Sequence, residues 1–529
     1  PSIGLHATED IKIIHQLKQL VAQGNTVIVV EHDLDTIESA DWIVEVGPKA
    51  GINGGEILFN GSIENFNQSN HNSPTRNAII ASKTTLQLKQ KSLKYTIGLN
   101  ACTAANLKSI DVQFQLAHIN VVSGKSGSGT TSLINESLIP LLENKTNAVA
   151  KIQSFSGLEH INGYLYVDQK PIGRSPRSNP ATYLGIADPI RDLFASLTEA
   201  KAKKYTKSRF SFNNKGGRCE TCEGAGKIQI GMHILGKIDQ VCGSCGGKRF
   251  NAETLSIKYN GLNIAEIYQL SVQEAIDHFS AVPKILKGLL SLQKVGLDYL
   301  SLGQSSTSLS GGEAQRIKLA NELQQKQKPN TLYIFNEPSI GLHYQDLIQF
   351  INVLKAITDK GHTVICIEQD DTLIKHADWL IELGPGSGKN GGQLVYQGIP
   401  RAKEKVETQR TSNKIEQYRS IELRGVKTHL LKNITVQFPK NEISVVTGLS
   451  GSGKSSLVID TLHAASSSRF SSAMSTYVRS LIQEHNSAQI ESVKGLGPTI
   501  AITRKISTYN PKSTLATSTG IYAILRVLY

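Results

Sequence analysis

The sequence predicts an α/β protein built on largely parallel sheets, and three observations support this prediction. Short β-branched runs such as Thr26–Val30, Leu332–Phe335 and Thr363–Ile367 alternate with segments of helical pattern. Two glycine-rich loops, Gly124–Ser132 and Gly448–Ser456, each follow a strand-like run and precede a helical segment. The third observation is an internal repeat, which places the same signals at two positions along the chain.

The glycine-rich loops predict phosphate binding. Such a loop directs backbone N–H groups toward phosphates, and the following helix adds a favourable dipole at its N-terminus. In the second loop Lys454 would contact the β- and γ-phosphates of a nucleotide, and the hydroxyl of Ser455 would bind Mg²⁺. The glycines of this loop are Gly448, Gly451 and Gly453.

The first loop has the same glycines but lacks the lysine. Thr130 stands in its place, while Thr131 keeps a hydroxyl for Mg²⁺. Lys125, one residue into the loop, either compensates for the missing cation or points to solvent. We therefore expect the first loop to hold a nucleotide mainly by its backbone. The glycines of this loop are Gly124, Gly127 and Gly129.

The repeat predicts the domain order. Residues 1 to about 62 and 338 to about 399 are two copies of one domain end, and the two loops are two copies of one domain start. We predict the end of a first nucleotide-binding domain at 1–83, a complete second domain at 84–405 with an insertion at about 175–290, and the N-terminal part of a further domain at 406–529. The repeated runs are Pro1–His6 with Pro338–His343, Ala40–Trp42 with Ala377–Trp379, and Asn53–Gly55 with Asn390–Gly392.

The cysteines predict a structural zinc site in the insertion. Four of the six cysteines form two Cys-x-x-Cys pairs, separated by residues 223–241. Two such pairs can place four thiolates around Zn²⁺, and four thiolates leave no open position for catalysis. The predicted ligands are Cys219, Cys222, Cys242 and Cys245. The remaining two, Cys102 and Cys366, are expected to be core thiols.

Charge and hydropathy limit the function classes. The net charge of +13 favours a polyanionic partner. No apolar run is long enough for a membrane helix and no signal peptide is evident, so we expect a cytoplasmic protein. Residues 201–218 are basic with interleaved aromatic residues, a composition typical of backbone contacts to DNA, although a solvated basic face or core aromatics would look the same. The candidate contacts are Lys201, Lys203, Lys204, Lys207, Arg209, Lys215 and Arg218.

Two further motifs resemble those of ABC-type ATPases. The run Leu309–Glu313 opens a helix and resembles the family's signature, which completes the ATP site of another domain. Its candidate phosphate-binding residues are Ser310, Gly311 and Gly312. The run Leu332–Pro338 resembles the Walker B strand, with Asn336 where the family has aspartate and Glu337 where it has its general base.

The resemblance assigns two more positions. The family's switch histidine corresponds to His32 in the first copy and to Gln369 in the second, and its Q-loop glutamine corresponds to Gln169. Arg504 stands where a Q-loop glutamine is expected after the last loop. The resemblance therefore implies ABC-type P-loop ATPase domains with an inserted zinc-binding, partly helical signature domain.

Longer runs narrow the resemblance to the UvrA family, the DNA-damage-sensing ATPases of bacterial excision repair. The runs are Gly157–Ile161, Pro176–Tyr183 and Arg209–Asn213. The resemblance implies ATP, Mg²⁺ and Zn²⁺ as cofactors, double-stranded and damaged DNA as ligand, a homodimer, and a UvrB-like partner bound through regions outside this chain. The family has one first-half and one second-half domain, so the domain order here is a departure.

These observations predict an ATP-dependent DNA-binding protein whose middle ATP site is impaired in hydrolysis. The middle domain lacks the lysine, the Walker B aspartate and the switch histidine, at Thr130, Asn336 and Gln369. The alternative is a non-hydrolysing UvrA paralogue with a structural or protective role on DNA. A transporter or a ribosome-associated ATPase is disfavoured, because neither class explains the zinc insertion.

Overall fold

The computed structural model has the α/β architecture that the sequence predicts. It describes residues 7–69, 73–82, 95–143, 150–173, 175, 177–232, 236–325, 328–401, 420–472, 488–502, 514–519 and 521–528. The predicted boundaries near residues 83 and 405 fall outside these ranges, as do residues 1–6 and Arg504, so the domain boundaries stay predictions.

Three of the strands coincide with the β-branched runs named in the sequence, with ends shifted by at most one residue. Numbered in chain order, the strands of the described residues are β1 (Val27–Val30), β2 (Trp42–Gly47), β3 (Glu56–Ser62), β4 (Thr96–Cys102), β5 (Ile110–Gln115), β6 (Ile119–Gly124), β7 (Ser154–Ser156), β8 (Gly163–Val167), β9 (Lys227–Met232), β10 (Gly236–Val241), β11 (Lys258–Tyr259), β12 (Leu262–Asn263), β13 (Thr331–Asn336), β14 (Thr363–Ile367), β15 (Trp379–Gly384), β16 (Gln393–Gly398), β17 (Ser420–Val426), β18 (Ile434–Pro439), β19 (Ile443–Thr447) and β20 (Ser492–Lys494).

The helices alternate with these strands or cluster in the insertion. They are α1 (Ala7–Ala22), α2 (Leu34–Glu38), α3 (Ile63–Gln68), α4 (Pro74–Ser82), α5 (Thr130–Ser132), α6 (Ile139–Leu142), α7 (Pro180–Tyr183), α8 (Ala187–Ser196), α9 (Thr198–Ala202), α10 (Ala252–Leu255), α11 (Ile264–Gln269), α12 (Val272–His278), α13 (Pro283–Lys294), α14 (Gly311–Gln324), α15 (Tyr344–Thr358), α16 (Asp371–His376), α17 (Lys454–Leu457), α18 (Ala464–Ser472), α19 (Leu515–Ser518) and α20 (Ile521–Leu528). A π-helical turn joins α5 to α6 and another joins α17 to α18. Within the described ranges, no helix is both long enough and apolar enough to cross a membrane.

The middle of the chain forms a six-stranded sheet in the order β16-β15-β6-β14-β13-β8. Its pairings are parallel except for β16, which runs antiparallel at one edge. Every residue of β6 and β14 is buried, as expected for parallel strands that are covered on both faces. The first phosphate loop therefore begins at the end of β6, a strand that is buried along its whole length.

A second sheet joins residues from opposite ends of the chain. Its order is β1-β19-β2-β3, so the strand Ile443–Thr447 lies between two strands of the first fifty residues. The register aligns Val27 with Ile443 on one side and Ile43 with Val445 on the other, and both pairings are parallel. The N-terminal and C-terminal segments thus share one sheet, and we call residues 7–82 and 420–502 together the terminal unit. Residues 95–401 are called the middle unit.

The two units repeat the same polar contacts, which gives the internal repeat a structural meaning. The indole N–H of Trp42 donates to the carbonyl of Gln437 at 3.1 Å, and that of Trp379 donates to the carbonyl of Gln113 at 2.8 Å. In each unit the tryptophan of the domain end binds β18 or β5, the strand just before the one that leads into the phosphate loop. The carboxylates of Asp41 and Asp378 likewise accept from the N–H groups of Ile443 and Ile119, at 2.9 and 2.8 Å.

The insertion is a mostly helical body continuous with the core of the middle unit. Helices α7 to α13 surround buried aromatic side chains, and this cluster merges with residues packed under the sheet. The antiparallel hairpin of β9 and β10 leaves this body between the two cysteine pairs.

Candidate nucleotide, zinc and DNA sites

The two phosphate loops have the same backbone conformation. The φ angles of Gly124, Gly127 and Gly129 are 153°, 77° and 106°. Those of their counterparts in the second loop, Gly448, Gly451 and Gly453, are 132°, 74° and 111°. L-residues rarely adopt these angles, which explains the glycines. The loop with Thr130 therefore has nearly the same shape as the loop with Lys454.

Lys454 lies folded against its own loop. Its Nζ donates to the carbonyls of Gly448 and Leu449, at 3.0 and 2.6 Å, and the side chain is buried. Burial lowers the pKa of Lys454 to about 8, while the carboxylates of Asp346 and Glu313 oppose that shift. The amine is thus held at the position from which it would reach a bound phosphate.

A cavity of about 530 Å³ separates the second phosphate loop from the signature. The terminal unit supplies the loop and His32, and the middle unit supplies the signature and the segment after Glu337. The signature therefore faces the loop that has the lysine. Lining residues that bear on a nucleotide are His32, Ser310, Gly312, Glu313, Gln369, Ser450, Gly451, Lys454 and Ser455.

The signature is shaped by a capping box at the start of α14. The hydroxyl of Ser310 accepts from the N–H of Glu313 at 3.2 Å, and the carboxylate of Glu313 accepts from the N–H of Ser310 at 2.8 Å. This reciprocal cap leaves the other N–H groups of the first turn available to an anion in the cavity. A side chain at Gly312 would collide with the carbonyl of Ile340, at 2.7 Å from its Cβ.

His32 lies beside Lys454 at the same cavity. Burial lowers the pKa of His32 well below its ordinary value, and the positive charge of Lys454 lowers it further. The ring is therefore neutral near pH 7 and has one donor and one acceptor nitrogen. Its backbone N–H donates to the carboxylate of Glu31 at 2.9 Å, which fixes the turn that carries the ring.

The four cysteines of the insertion converge as the sequence predicts. Their sulfur atoms all lie within 4.8 Å of one another. The Sγ–Sγ distances are 3.9 Å for Cys219 with Cys242 and 3.7 Å for Cys222 with Cys245. Zn–S bonds of about 2.3 Å in a tetrahedron require sulfur atoms about 3.8 Å apart, so the thiols fit zinc. Both other cysteines, Cys102 and Cys366, are buried core thiols.

Comparisons with known proteins give the family. No family model matches the sequence. The chain is 44% identical over 423 residues to UvrABC system protein A of Pasteurella multocida (strain Pm70), a match that covers 78% of this chain and 44% of that protein. It is 46% identical over 407 residues to UvrABC system protein A of Streptococcus pyogenes serotype M1, covering 76% and 43%. Over the matched part, this chain is of the UvrA type.

A solved structure supports the same assignment. The crystal structure of UvrA2 from Deinococcus radiodurans matches with a TM-score of 0.71 at 42% identity, covering 76% of this chain and 49% of that one. The UvrA-type resemblance and the ABC-type P-loop architecture predicted from sequence are thus confirmed. The chain spans less than half the length of the curated relatives that it matches.

The UvrA-type middle unit brings its own sequence-predicted residues together. Gln169 Nε2 donates to the carbonyls of Asn336 and Glu337, at 3.4 and 3.2 Å. Glu337, directly after β13, has a φ of 49°, and its N–H donates to the carbonyl of Ile367 at 2.8 Å. These residues lie at the same edge of the sheet as the loop with Thr130, because parallel strands end on one side. Their catalytic roles stay predictions.

The basic stretch of the insertion is partly neutralised by acids from elsewhere in the sequence. Arg209 pairs with Glu253 at 2.6 Å, Arg218 with Glu220 at 3.0 Å, and Lys207 lies 3.2 Å from Asp192. The other lysines of the basic stretch are exposed and form no ion pair with the described residues. They are Lys201, Lys203, Lys204 and Lys215.

The aromatic residues of the basic stretch belong to the core. Phe210 and Phe212 are fully buried, and Tyr205 packs under the guanidinium of Arg209, 4.4 Å from its ring centre. These side chains are thus not placed to stack on bases. The sequence left open whether the aromatic residues contact DNA or pack in the core, and both phenylalanines pack in the core.

Two residues of the middle unit that contact the second phosphate loop are missed by motif analysis. They are Tyr299, whose ring contacts Gly451, and Asp346, whose carboxylate binds the N–H of Ser450. Neither residue belongs to a recognised motif. Each lies in the middle unit and contacts a loop of the terminal unit, far away in the sequence. The local sequence signals this contact only through Gly451, because a side chain at that position would collide with the ring of Tyr299.

Proposed function

We propose that this chain is the ATP-binding and DNA-binding part of a UvrA-type protein that recognises damaged or deformed DNA in nucleotide excision repair. The cavity between Lys454 and the signature carries the proposal, because it places a phosphate loop and a helix N-terminus on opposite sides of one nucleotide-sized space. Lys454 would contact the β- and γ-phosphates of bound MgATP, and the hydroxyl of Ser455 would bind its Mg²⁺.

The site beside Thr130 is proposed to be a poor hydrolase. The loop shape is retained, but the lysine, the Walker B aspartate and the switch histidine are replaced. Each of these groups stabilises charge in phosphoryl transfer or binds Mg²⁺, and losing one such group often costs about 3 kcal/mol in the transition state. Glu337 alone would not offset three losses. We propose that nucleotide at this site serves binding and shape, with hydrolysis at the site of Lys454.

The DNA-binding surface is proposed to be the exposed lysines of residues 201–215 beside the zinc knuckles. Lysines that contact phosphates bind without reading base identity, and damage would be sensed through the deformability of the duplex. The relatives carry the name UvrABC system protein A, which supports a UvrB-like partner and a repair role for the whole protein. A homodimer, which the resemblance to the UvrA family implies, is proposed as well.

The decisive experiment is a DNA-binding titration of the full-length protein with intact and lesion-bearing duplex, with and without MgATP. We expect tighter binding to the lesion-bearing duplex, and an ATP effect that Lys454→Ala removes. Thr130→Ala serves as the matched control, because it alters the equivalent position of the loop that has already lost its cation. Equal DNA binding with and without ATP would replace this proposal by the non-hydrolysing structural paralogue.

A further inference from the structure

The ring of Tyr299 rests in a notch that two glycines of the terminal unit form. A Cβ on Gly451 would lie 2.7 Å from both Cδ2 and Cε2 of the ring, and a Cβ on Gly51 would lie 3.3 Å from the Cβ of Tyr299. The N–H of Gly51 donates to the carbonyl of Gly451 at 3.0 Å, which fixes the notch. An aromatic residue of one unit thus contacts the phosphate loop of the other at a position where only glycine fits.

The hydroxyl of Tyr299 binds the signature. It donates to Oε1 of Glu313 at 2.7 Å, and Oε2 of the same carboxylate accepts from the N–H of Ser310. Arg316 approaches the hydroxyl from α14 at 3.4 Å. Burial, with Glu313 beside it, holds the pKa of Tyr299 well above its ordinary value, so the hydroxyl is a donor at physiological pH. One side chain therefore contacts the phosphate loop with its ring and the capping box with its hydroxyl.

We infer that Tyr299 is a positioning residue that sets the distance and alignment between the signature and the loop of Lys454. The inference rests on the proposed ATP site and adds a residue to it. When the ring sits in the notch, the capping box of α14 faces the loop directly, and a nucleotide can contact both sides together. Without the ring, the signature and the loop can separate or slide, and the nucleotide keeps contacts from the loop only.

The first phosphate loop offers a matched comparison. Gly127 corresponds to Gly451 and has nearly the same φ, 77° against 74°. A Cβ on Gly127 would meet the N atom of Gly388 and the Cβ of Ser387 at 3.6 Å, which is ordinary contact. Alanine at either glycine therefore strains the backbone equally, but only alanine at Gly451 displaces Tyr299.

The experiment measures MgATP affinity of the full-length protein for Gly451→Ala, Tyr299→Ala, their combination and Tyr299→Phe. We expect Gly451→Ala to weaken affinity at least about fivefold, a coupling typical of residues in direct contact. Gly451→Ala should cost less affinity in the Tyr299→Ala background than in the unmodified protein, because without the ring the added methyl group displaces nothing. Tyr299→Phe should stay closer to the unmodified protein than Tyr299→Ala does. Gly127→Ala, measured by thermal unfolding, reports the cost of backbone strain alone.

Separate outcomes test the inference and the function beneath it. If the unmodified protein binds no MgATP, the proposed function fails before any variant is compared. If it binds MgATP but Gly451→Ala weakens affinity by the same factor with and without Tyr299→Ala, the collision with Tyr299 is not the cause of the loss and the inference is overturned. The inference is also overturned if Tyr299→Phe, Tyr299→Ala and the unmodified protein all bind MgATP with the same affinity.

Discussion

The carboxylate of Asp346 accepts a hydrogen bond from the backbone N–H of Ser450 at 3.1 Å, and this contact joins the two units at the phosphate loop. The hydroxyl of Ser450 also donates to the carbonyl of Gly341, at 2.9 Å. Asp346 acts on Lys454 as well, since its negative charge opposes the loss of the ammonium proton that burial favours. The middle unit thus influences both the position and the charge of the neighbouring loop.

This relationship predicts a pH dependence of nucleotide affinity. The pKa of Lys454 in the protein without nucleotide is about 8. Its amine is therefore positively charged below that pH and loses the charge as pH rises through 8. MgATP affinity should therefore fall between about pH 7 and about pH 9, where other lysines stay charged. Asp346→Asn should move the fall to lower pH, because removing the carboxylate lowers the pKa of the lysine further.

The measurement is MgATP affinity at several pH values for the unmodified protein, Asp346→Asn and Lys454→Arg. Arginine stays protonated throughout this range, so its profile should be flat where that of lysine falls. A falling profile with arginine as well would assign the titration to another group, such as the nucleotide or a histidine.

Restoring the middle site should raise its hydrolysis. The triple variant Thr130→Lys, Asn336→Asp and Gln369→His returns the cation, the Mg²⁺ ligand and the switch histidine to a loop whose backbone already has the required shape. In a Lys454→Ala background we expect ATP turnover to rise by about 10²-fold or more, given the usual worth of such groups. Steady-state hydrolysis rates measure this. High turnover in the Lys454→Ala background before restoration would show that the middle site is already active.

The zinc site should be needed for the fold of the insertion. Cys219→Ser removes one thiolate from a set whose sulfur atoms all lie within 4.8 Å, and the remaining three bind zinc more weakly. We expect bound zinc to fall from about one per chain to well below one, with lower thermal stability. Metal analysis and thermal unfolding measure both. Cys102→Ser is the control, because that thiol is buried beside Ser137, away from the metal; if it lost zinc equally, the assignment would be wrong.

The exposed lysines should carry the salt dependence of DNA binding. Replacing Lys201, Lys204 and Lys215 with glutamine should lower the slope of log affinity against log salt by about 2 to 3, if each contacts one phosphate. Fluorescence titrations at several salt concentrations measure the slope. Replacing Arg209 and Arg218 should change it less, since both already pair with carboxylates.

The control for this measurement removes the same net charge elsewhere. Lys360, Lys389 and Lys494 are exposed lysines outside the basic stretch. An equal loss of slope in both triple variants would mean that overall charge, not the predicted surface, determines affinity.

Local chemistry made much of the candidate site predictable. A phosphate loop, a capping box and a cysteine knuckle each form within a few residues, because their hydrogen bonds, turns and ligands come from neighbouring positions. The spacing of Cys219 to Cys245 therefore predicted a cluster that the structure confirms. The basic stretch was less predictable, because the acids that pair with Arg209 and Lys207 lie on other helices.

The sequence by itself determined the strand–loop–helix units, the zinc knuckles, the missing lysine at Thr130 and the UvrA-type resemblance. Only the tertiary structure decided that β19 lies between β1 and β2, that the signature faces Lys454, and that Tyr299 and Asp346 reach the second loop. The physical reason is distance along the chain. A motif encodes its own turns and hydrogen bonds. Its contacts with residues far away in the sequence depend on which apolar surfaces are buried against one another when the chain folds.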